Sequence, residues 1–210
     1  MHIVSLSQDN PTLFDAFYSI YRVSFPLSEQ KSKEALIAML ASASYTIFIA
    51  QNDETILGFC IVFHDTNADF HLLEYMAIDP TQRGIGIGSN LFIASNAYVQ
   101  QQYGLKPLLI EIDSPKSPAL DQPLREKRAR FYRKLGAKTI EILEYILPLK
   151  SDETPPAMEL LVYHPTLESI SKQTLKSWLE QLYTNVYGCD ANDTRITTML
   201  HNTPQLFHLI

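Results

Sequence analysis

One stretch constrains what the rest of this chain can build. Leu72-Leu73-Glu74-Tyr75-Met76-Ala77-Ile78 is an apolar run closed by the turn Asp79-Pro80-Thr81-Gln82, and Arg83-Gly84-Ile85-Gly86-Ile87-Gly88 follows at once. From there Ile87, Leu91, Ala94 and Tyr98 recur at i, i+4, i+7 and i+11, the stripe of a helix running to Tyr103. The glycines therefore stand at a strand-to-helix junction. Alternate glycines let successive backbone N–H groups face one concavity without Cβ atoms in the way, and the helix start adds partial positive charge. Such a junction suits a dense anion such as a pyrophosphate.

Familiar phosphate loops fit poorly. A dinucleotide fingerprint needs G-x-G-x-x-G and an acid about twenty residues on, whereas these glycines are spaced G-x-G-x-G. A Walker-type loop needs Lys-Ser or Lys-Thr after its last glycine, and Gly88 is followed by Ser89-Asn90. A plain tight turn does not need Arg83 ahead of alternating glycines. What remains, Arg-x-x-Gly-x-Gly at Arg83, Gly86 and Gly88, resembles the acyl-CoA motif of the GNAT superfamily of N-acetyltransferases. A second segment agrees, because Phe131-Tyr132-Arg133-Lys134-Leu135-Gly136-Ala137 is similar to that family's downstream motif, an aromatic-Tyr pair closing a helix before a Gly-Ala exit.

The resemblance covers residues 1–164, which it identifies as an acetyltransferase domain. It implies an α+β fold with a mixed, mostly antiparallel central sheet of about seven strands and helices on both faces. It also implies acetyl-CoA as co-substrate, an amine acceptor and no metal. Backbone amides at Met76, Ala77 and Ile78 would hold the pantetheine and polarise the thioester carbonyl, and Arg83, Gly84, Ile85, Gly86, Ile87, Gly88 and Ser89 would hold the pyrophosphate. The loops Phe25–Gln30 and Lys150–Pro156 would border the acceptor, with Glu29 either facing the substrate amine or serving as a helix-start acid.

The order of elements supports the same architecture independently. His2–Leu6 alternates like an edge strand, Asn10-Pro11 offers a helix start, and Leu13, Phe17, Ile20 and Tyr21 make a helical face ended by Pro26. Lys31–Leu40 reads as a second helix. Tyr45–Ala50, Ile56–His64 and Phe70–Ile78 read as successive antiparallel strands, and Pro107–Asp113 as a central one. A helix from Leu124 to Leu135 carries Arg125, Lys127, Arg128, Arg130, Arg133 and Lys134, either a solvated face or a counter-charge for the 3′-phosphate of CoA. Thr139–Leu147 and Met158–Tyr163 read as the last two strands. Residues 165–210 lie outside the resemblance and read as a helical extension, with Leu175, Trp178, Leu179, Leu182 and Val186 on one stripe, packed on the domain or on a subunit partner.

Composition narrows the partners. The formal net charge of −6 over 210 residues argues against non-specific nucleic-acid or anionic-membrane binding and favours a cationic acceptor. Cys60 and Cys189 can make no disulfide framework and show no metal-ligand spacing, which points to a reducing, cytoplasmic compartment. Met1 leads into a polar-interrupted strand rather than a signal peptide, and no apolar run reaches the roughly 18 residues of a membrane helix. A monomer or homodimer is expected.

Acyl transfer from a thioester to an amine needs the amine unprotonated, the oxyanion stabilised and a proton delivered to the thiolate. Tyr132 is the candidate acid, since a phenol can protonate a departing sulfur. Glu74 and Glu111 are the candidate bases, each a carboxylate inside an apolar strand where an unpaired charge is costly. The alternative for both is a salt-bridged core carboxylate. Strand alternation places Glu74 with Met76 and Ile78 on one face and Tyr75 with Ala77 on the other. His64 and His71, near strand ends, are lesser candidates. The expected function is acetylation of a small cationic amine by direct attack in a ternary complex. A protein lysine or N-terminus is the other acceptor class, and a sensor that binds acyl-CoA without turnover is the non-enzymatic reading.

Overall fold

The computed structural model describes residues 1–53, 55–148 and 156–210. Two compact units divide the chain: Met1–Asn67 with His71–Lys106, and Ala68–Phe70 with Pro107–Ile210. Between them they carry the seven strands of a mixed, mostly antiparallel sheet and six helices, the α+β architecture expected.

The first unit holds β1 (His2–Ser5), α1 (Pro11–Ser24), α2 (Lys33–Ala41), β2 (Tyr45–Asn52), β3 (Thr55–Phe63), β4 (His71–Ile78) and α3 (Ile87–Tyr103). Its strands run in the order β1-β2-β3-β4, each antiparallel to the next. α1 begins where the Asn10 side chain accepts from Leu13 N–H at 3.0 Å and Pro11 supplies a pre-set φ. Its buried face, Phe14, Phe17, Ile20 and Tyr21, packs on Ile47, Ile49, Phe59 and Ile61, with the Phe17 ring edge-on to Phe59 at 4.8 Å. α3 covers the opposite face, where Tyr98 meets Phe48. Its buried stripe is Ile87, Leu91, Phe92, Ser95 and Val99, and Tyr98 is 42% exposed, so the stripe turns toward Val99 rather than ending on Tyr98 as expected. At 3.6 residues per turn Ile87, Leu91, Ala94 and Tyr98 do share one narrow stripe, but the buried face is centred roughly 80° round from Ile87, toward Ser95 and Val99, which leaves Tyr98 at its edge.

Two features of β3 and β4 shape the site. A Cβ on Gly58 would lie 2.4 Å from Ile78 Cδ1 and 2.7 Å from Ala77 O, so glycine is what lets β4 approach there. Further along, Val62 pairs with Leu73 and Ile61 with Tyr75, which leaves Glu74 as the extra residue of a β-bulge. Simple alternation therefore fails. Glu74 projects to the α1/α2 side together with Tyr75, whereas Met76, opposite Cys60, lies on the α3 side.

His64 and His71 are buried on that α3 side. His64 stacks on Tyr103 at 3.7 Å with Nε2 bonded to Thr46 Oγ1 at 2.7 Å, and His71 Nε2 donates to Gly104 O at 3.1 Å. Burial holds both imidazoles below the ordinary value of 6.5. An unfolded chain takes up protons near that pH that the folded chain refuses, so their contribution is complete above it and is lost as pH falls toward the lowered folded values. Glu74, pushed up by burial, works in the opposite direction, its contribution being lost as pH rises. In a Glu74→Gln background, urea unfolding is expected to lose about 2 kcal/mol between pH 7.5 and 5.5. A flat profile would exclude the histidines as the source of acid sensitivity.

The second unit holds β5 (Leu108–Asp113), α4 (Gln122–Lys134), β6 (Lys138–Thr139), β7 (Met158–Tyr163), β8 (Ser169–Ser171), α5 (Lys172–Asn185), α6 (Thr194–Leu200) and β9 (Leu206–His208). β5, β7 and β6 are neighbours in that order, all antiparallel, and β8 pairs with β9. The expected strand Thr139–Leu147 is mostly not one. Lys138–Thr139 forms the ladder with β7 and Tyr145 returns to it in a single bridge to Met158, while between them Ile142 takes a left-handed φ of 58° that interrupts the extended run. The backbone there finds partners at the C-terminal end, Thr139 exchanging bonds with Ile210 at 2.7 and 3.0 Å and Glu141 N–H reaching His208 O at 2.9 Å. β8 and β9 are three residues each, too short for periodicity to reveal them. α5 is capped by Ser171 and buries Leu175, Trp178, Leu179, Leu182 and Tyr183. No helix among the described residues is long and apolar enough to cross a membrane.

Candidate active site

The glycine loop is built from the end of β4. Asp79 Oδ1 accepts from Thr81 N–H at 2.8 Å and fixes the 3-10 turn Pro80–Gln82, and Arg83 Nε returns to Ile78 O at 3.1 Å. Gly84 and Gly86 then take left-handed conformations, φ 86° and 88°, which L side chains adopt only with strain. Gly86 is the cap residue of α3, with no side chain to satisfy the N–H groups of the first turn, so Ile87, Gly88 and Ser89 present theirs outward. A Cβ on Gly84 or Gly86 would meet no heavy atom within 4 Å, so the space beside the loop is open. Gly88 sits inside α3 and needs no special φ. The two glycines whose backbone demands them are thus Gly84 and Gly86, one step upstream of the Gly86–Gly88 pair in the motif. Ile87 is buried and anchors the helix start, and Ile85 is 71% exposed.

The β4 bulge gathers a second group of polar side chains in the same unit. The Glu74 side chain is only 6% exposed, its Oε1 lies 2.8 Å from Lys31 Nζ, and its Oε2 has no hydrogen-bond partner among the described residues. Burial pushes this carboxyl up from its ordinary value, and the Lys31 ammonium opposes the shift. The phenols of Tyr21, Tyr45 and Tyr75 surround it and are themselves raised, in each case first by burial. The Phe25–Gln30 loop is tied to the same place. Tyr75 O–H donates to Glu29 O at 2.8 Å, and Gln30 Nε2 donates to Phe25 O at 2.7 Å and Arg22 O at 2.9 Å. Glu29 itself is exposed, at the end of the 3-10 turn Leu27–Glu29. Met76, Ala77 and Ile78 continue β4 toward the glycine loop opposite Cys60, Phe59 and Gly58.

In the second unit Glu111 has a different environment. Oε1 accepts from the buried Tyr145 hydroxyl and Oε2 from Tyr187 O–H at 2.6 Å, so each oxygen holds a phenol. Tyr132 is 8% exposed on α4, with its ring edge-on to Phe131 and its carbonyl accepting from Ala137 N–H at 3.0 Å, where Gly136 (φ 101°) ends the helix. Half of the basic residues of α4 are engaged. Arg128 pairs with Asp113 at 2.7 Å, Arg125 with Asp121 at 2.8 Å, and Arg133 with the buried Glu159 at 2.6 Å. Among the described residues Lys127, Arg130 and Lys134 make no ion pair. The loop Lys150–Pro156 falls on residues 149–155, outside the described residues.

Structure thus brings Glu74 together with Glu29's loop, and it adds Lys31, Tyr45 and Tyr75, which the sequence reading did not single out. Tyr75 stands next to Glu74 in the chain, so the bulge was the missing information. Lys31 and Tyr45 carry no local signal.

The left-handed glycine loop thus opens a helix directly after an antiparallel meander. Residues 43–136 match the family model of the acetyltransferase (GNAT) domain, and the chain is similar to other proteins named as acetyltransferases. It is 26% identical over 163 residues to the protein of Bacillus subtilis (strain 168) named as acetyltransferase YjbC, covering 78% of this chain and 77% of that protein. Among solved structures, one named as an acetyltransferase of the GNAT family from Bacteroides thetaiotaomicron superposes with a TM-score of 0.71 at 21% identity, over 90% of this chain and 100% of that one. An aminoglycoside 6′-N-acetyltransferase complexed with coenzyme A gives a TM-score of 0.64 at 18% identity, over 80% of this chain and 100% of that one.

Proposed function

We propose that the chain moves an acetyl group from acetyl-CoA to the primary amine of a small cationic acceptor, by direct attack with both molecules bound. The observation that carries this reading is Glu74, a carboxylate with a side chain 6% exposed, held on a β-bulge with one oxygen unpartnered, in the unit that also carries the open glycine loop. Acetyl-CoA supplies the activated carbonyl. Backbone N–H groups of Met76 to Ile78 orient that carbonyl, and Gly84, Gly86 and the first turn of α3, with Arg83 and Ser89, hold the pyrophosphate. As the new C–N bond forms and the C–S bond breaks, Glu74 takes the amine proton, directly or through a water, and Tyr132 gives a proton to the sulfur. Glu111 is left out of the chemistry, because both its oxygens already hold phenols.

The net charge of −6 and the exposed Glu29 beside the bulge favour a cationic acceptor, and a CoA-bound aminoglycoside acetyltransferase shares the fold. In this reading residues 1–164 form the catalytic domain and 165–210 an extension tied to it through Tyr187 on Glu111 and Ile210 on Thr139.

The test is an amine panel followed by free-thiol release. Polyamines and amino sugars are expected to turn over, with kcat/KM reduced about 100-fold by Glu74→Gln and kcat reduced about tenfold or more by Tyr132→Phe at unchanged CoA affinity. Turnover confined to peptide lysines or N-termini would replace the small-amine acceptor, and full activity in Glu74→Gln would remove the base.

A further inference from the structure

Lys31 sits between the 3-10 turn and the Ser32 cap of α2, on a segment fixed from both sides. Its own N–H donates to Tyr21 O–H at 2.7 Å, the Gln30 amide is anchored on α1, and Tyr75 holds Glu29 O. From that mount its side chain, 29% exposed, reaches inward to a carboxylate that is 6% exposed. The ionisable groups facing Glu74 are Tyr21 from α1, Lys31 from the loop, Tyr45 from β2 and Tyr75 from β4, with Glu29 beyond Tyr75. Of these Lys31 is the cation. It engages Oε1 alone, and Oε2 is the oxygen left without a partner.

We propose that Lys31 is a positioning residue for acetyl transfer: it keeps the Glu74 carboxylate ionised in a buried place and takes Oε1, which leaves the buried Oε2 to receive the acceptor's proton by way of a water. The inference rests on Glu74 acting as the base. A buried carboxylate stripped of the cation beside it binds a proton more readily, and a protonated carboxyl accepts none from an amine. The opposing influences on this carboxyl, burial upward and Lys31 downward, agree with that geometry. Lys31 also places a positive charge beside a cationic acceptor, which favours acceptors whose second charge lies away from the reacting amine.

The experiment is the pH profile of kcat/KM for Lys31→Met and Lys31→Arg, beside a side-chain ¹³C NMR titration of Glu74 in the unliganded proteins. Lys31→Arg should keep the wild-type profile. Lys31→Met should move the acid limb, and the Glu74 titration, upward by at least about one pH unit, so that about tenfold is lost at pH values on the wild-type acid limb and regained at higher pH. An unmoved limb together with an unmoved titration overturns the proposal whatever happens to the rate. Full activity in Glu74→Gln would instead defeat the base assignment, and the titration still decides whether Lys31 sets the charge. Should Lys31→Met fail to fold, a folded Lys31→Met/Glu74→Gln pair supports charge compensation. A double variant that also fails to fold overturns it.

Discussion

Gly86→Asp is expected to lower CoA affinity at least about 100-fold, equivalent to about 3 kcal/mol, while leaving a folded protein. The two halves of that expectation come from different observations. A Cβ at Gly86 points into open space, so no neighbour has to move, and the cost to the fold is the left-handed φ of 88°, about 1 kcal/mol for a residue that tolerates this region comparatively well. At the cap of α3 the aspartate carboxylate can accept from the N–H groups of Ser89 and its neighbours, as a helix cap does. It then occupies with negative charge the donors that a pyrophosphate would use. Gly86→Ala carries the same backbone strain without the charge, and it should bind CoA far better than the aspartate variant. Titration calorimetry with CoA checks both. Equal affinity in Gly86→Asp and wild type would move the pyrophosphate away from this helix.

Glu111→Leu is expected to cost about 3 kcal/mol of stability, a fall of about 10 °C in melting temperature for a chain of this size. The leucine fits a β-strand and roughly matches the glutamate in volume, so the cost lies elsewhere. Tyr145, 3% exposed, and Tyr187 each lose the acceptor of their hydroxyl, and a buried donor left without one retains the full penalty of having been taken from water. Below its melting transition the variant should bind CoA as the wild type does and retain turnover within a few-fold. Calorimetric melting and steady-state rates check the two parts separately. An undisturbed melting temperature with turnover lost would return Glu111 to the chemistry.

These two glutamates show where a sequence stops being informative. Both are single carboxylates inside apolar strands, and a linear reading gives them equal standing. What separates them is the set of partners delivered by segments remote in the chain. Tyr145 and Tyr187, remote in sequence, complete Glu111, whereas Lys31 leaves Glu74 with an unused oxygen. The bulge that turns Glu74 toward Lys31 is equally silent in the sequence, because an extra residue in a ladder is defined by its pairing strand and not by its own side chain.

The chain by itself determined what depends on near neighbours. The apolar period of Phe14, Phe17 and Tyr21, the caps at Asn10, Ser32 and Ser171, the strand-turn-helix around Gly84 and Gly86, and the stop at Gly136 are all short-range consequences of side-chain size, hydrogen bonding and permitted φ. Such features place the helices and the main strands and make the glycine loop legible. Tertiary structure decided the rest: the loss of most of the strand after Thr139 to the C-terminal end, the pairing of β8 with β9, and the different partners given to Glu74 and Glu111. Protonation and hydrogen bonding inside a core depend on which groups are brought within about 3 Å and how much water is removed, and those quantities exist only once distant parts of the chain have met.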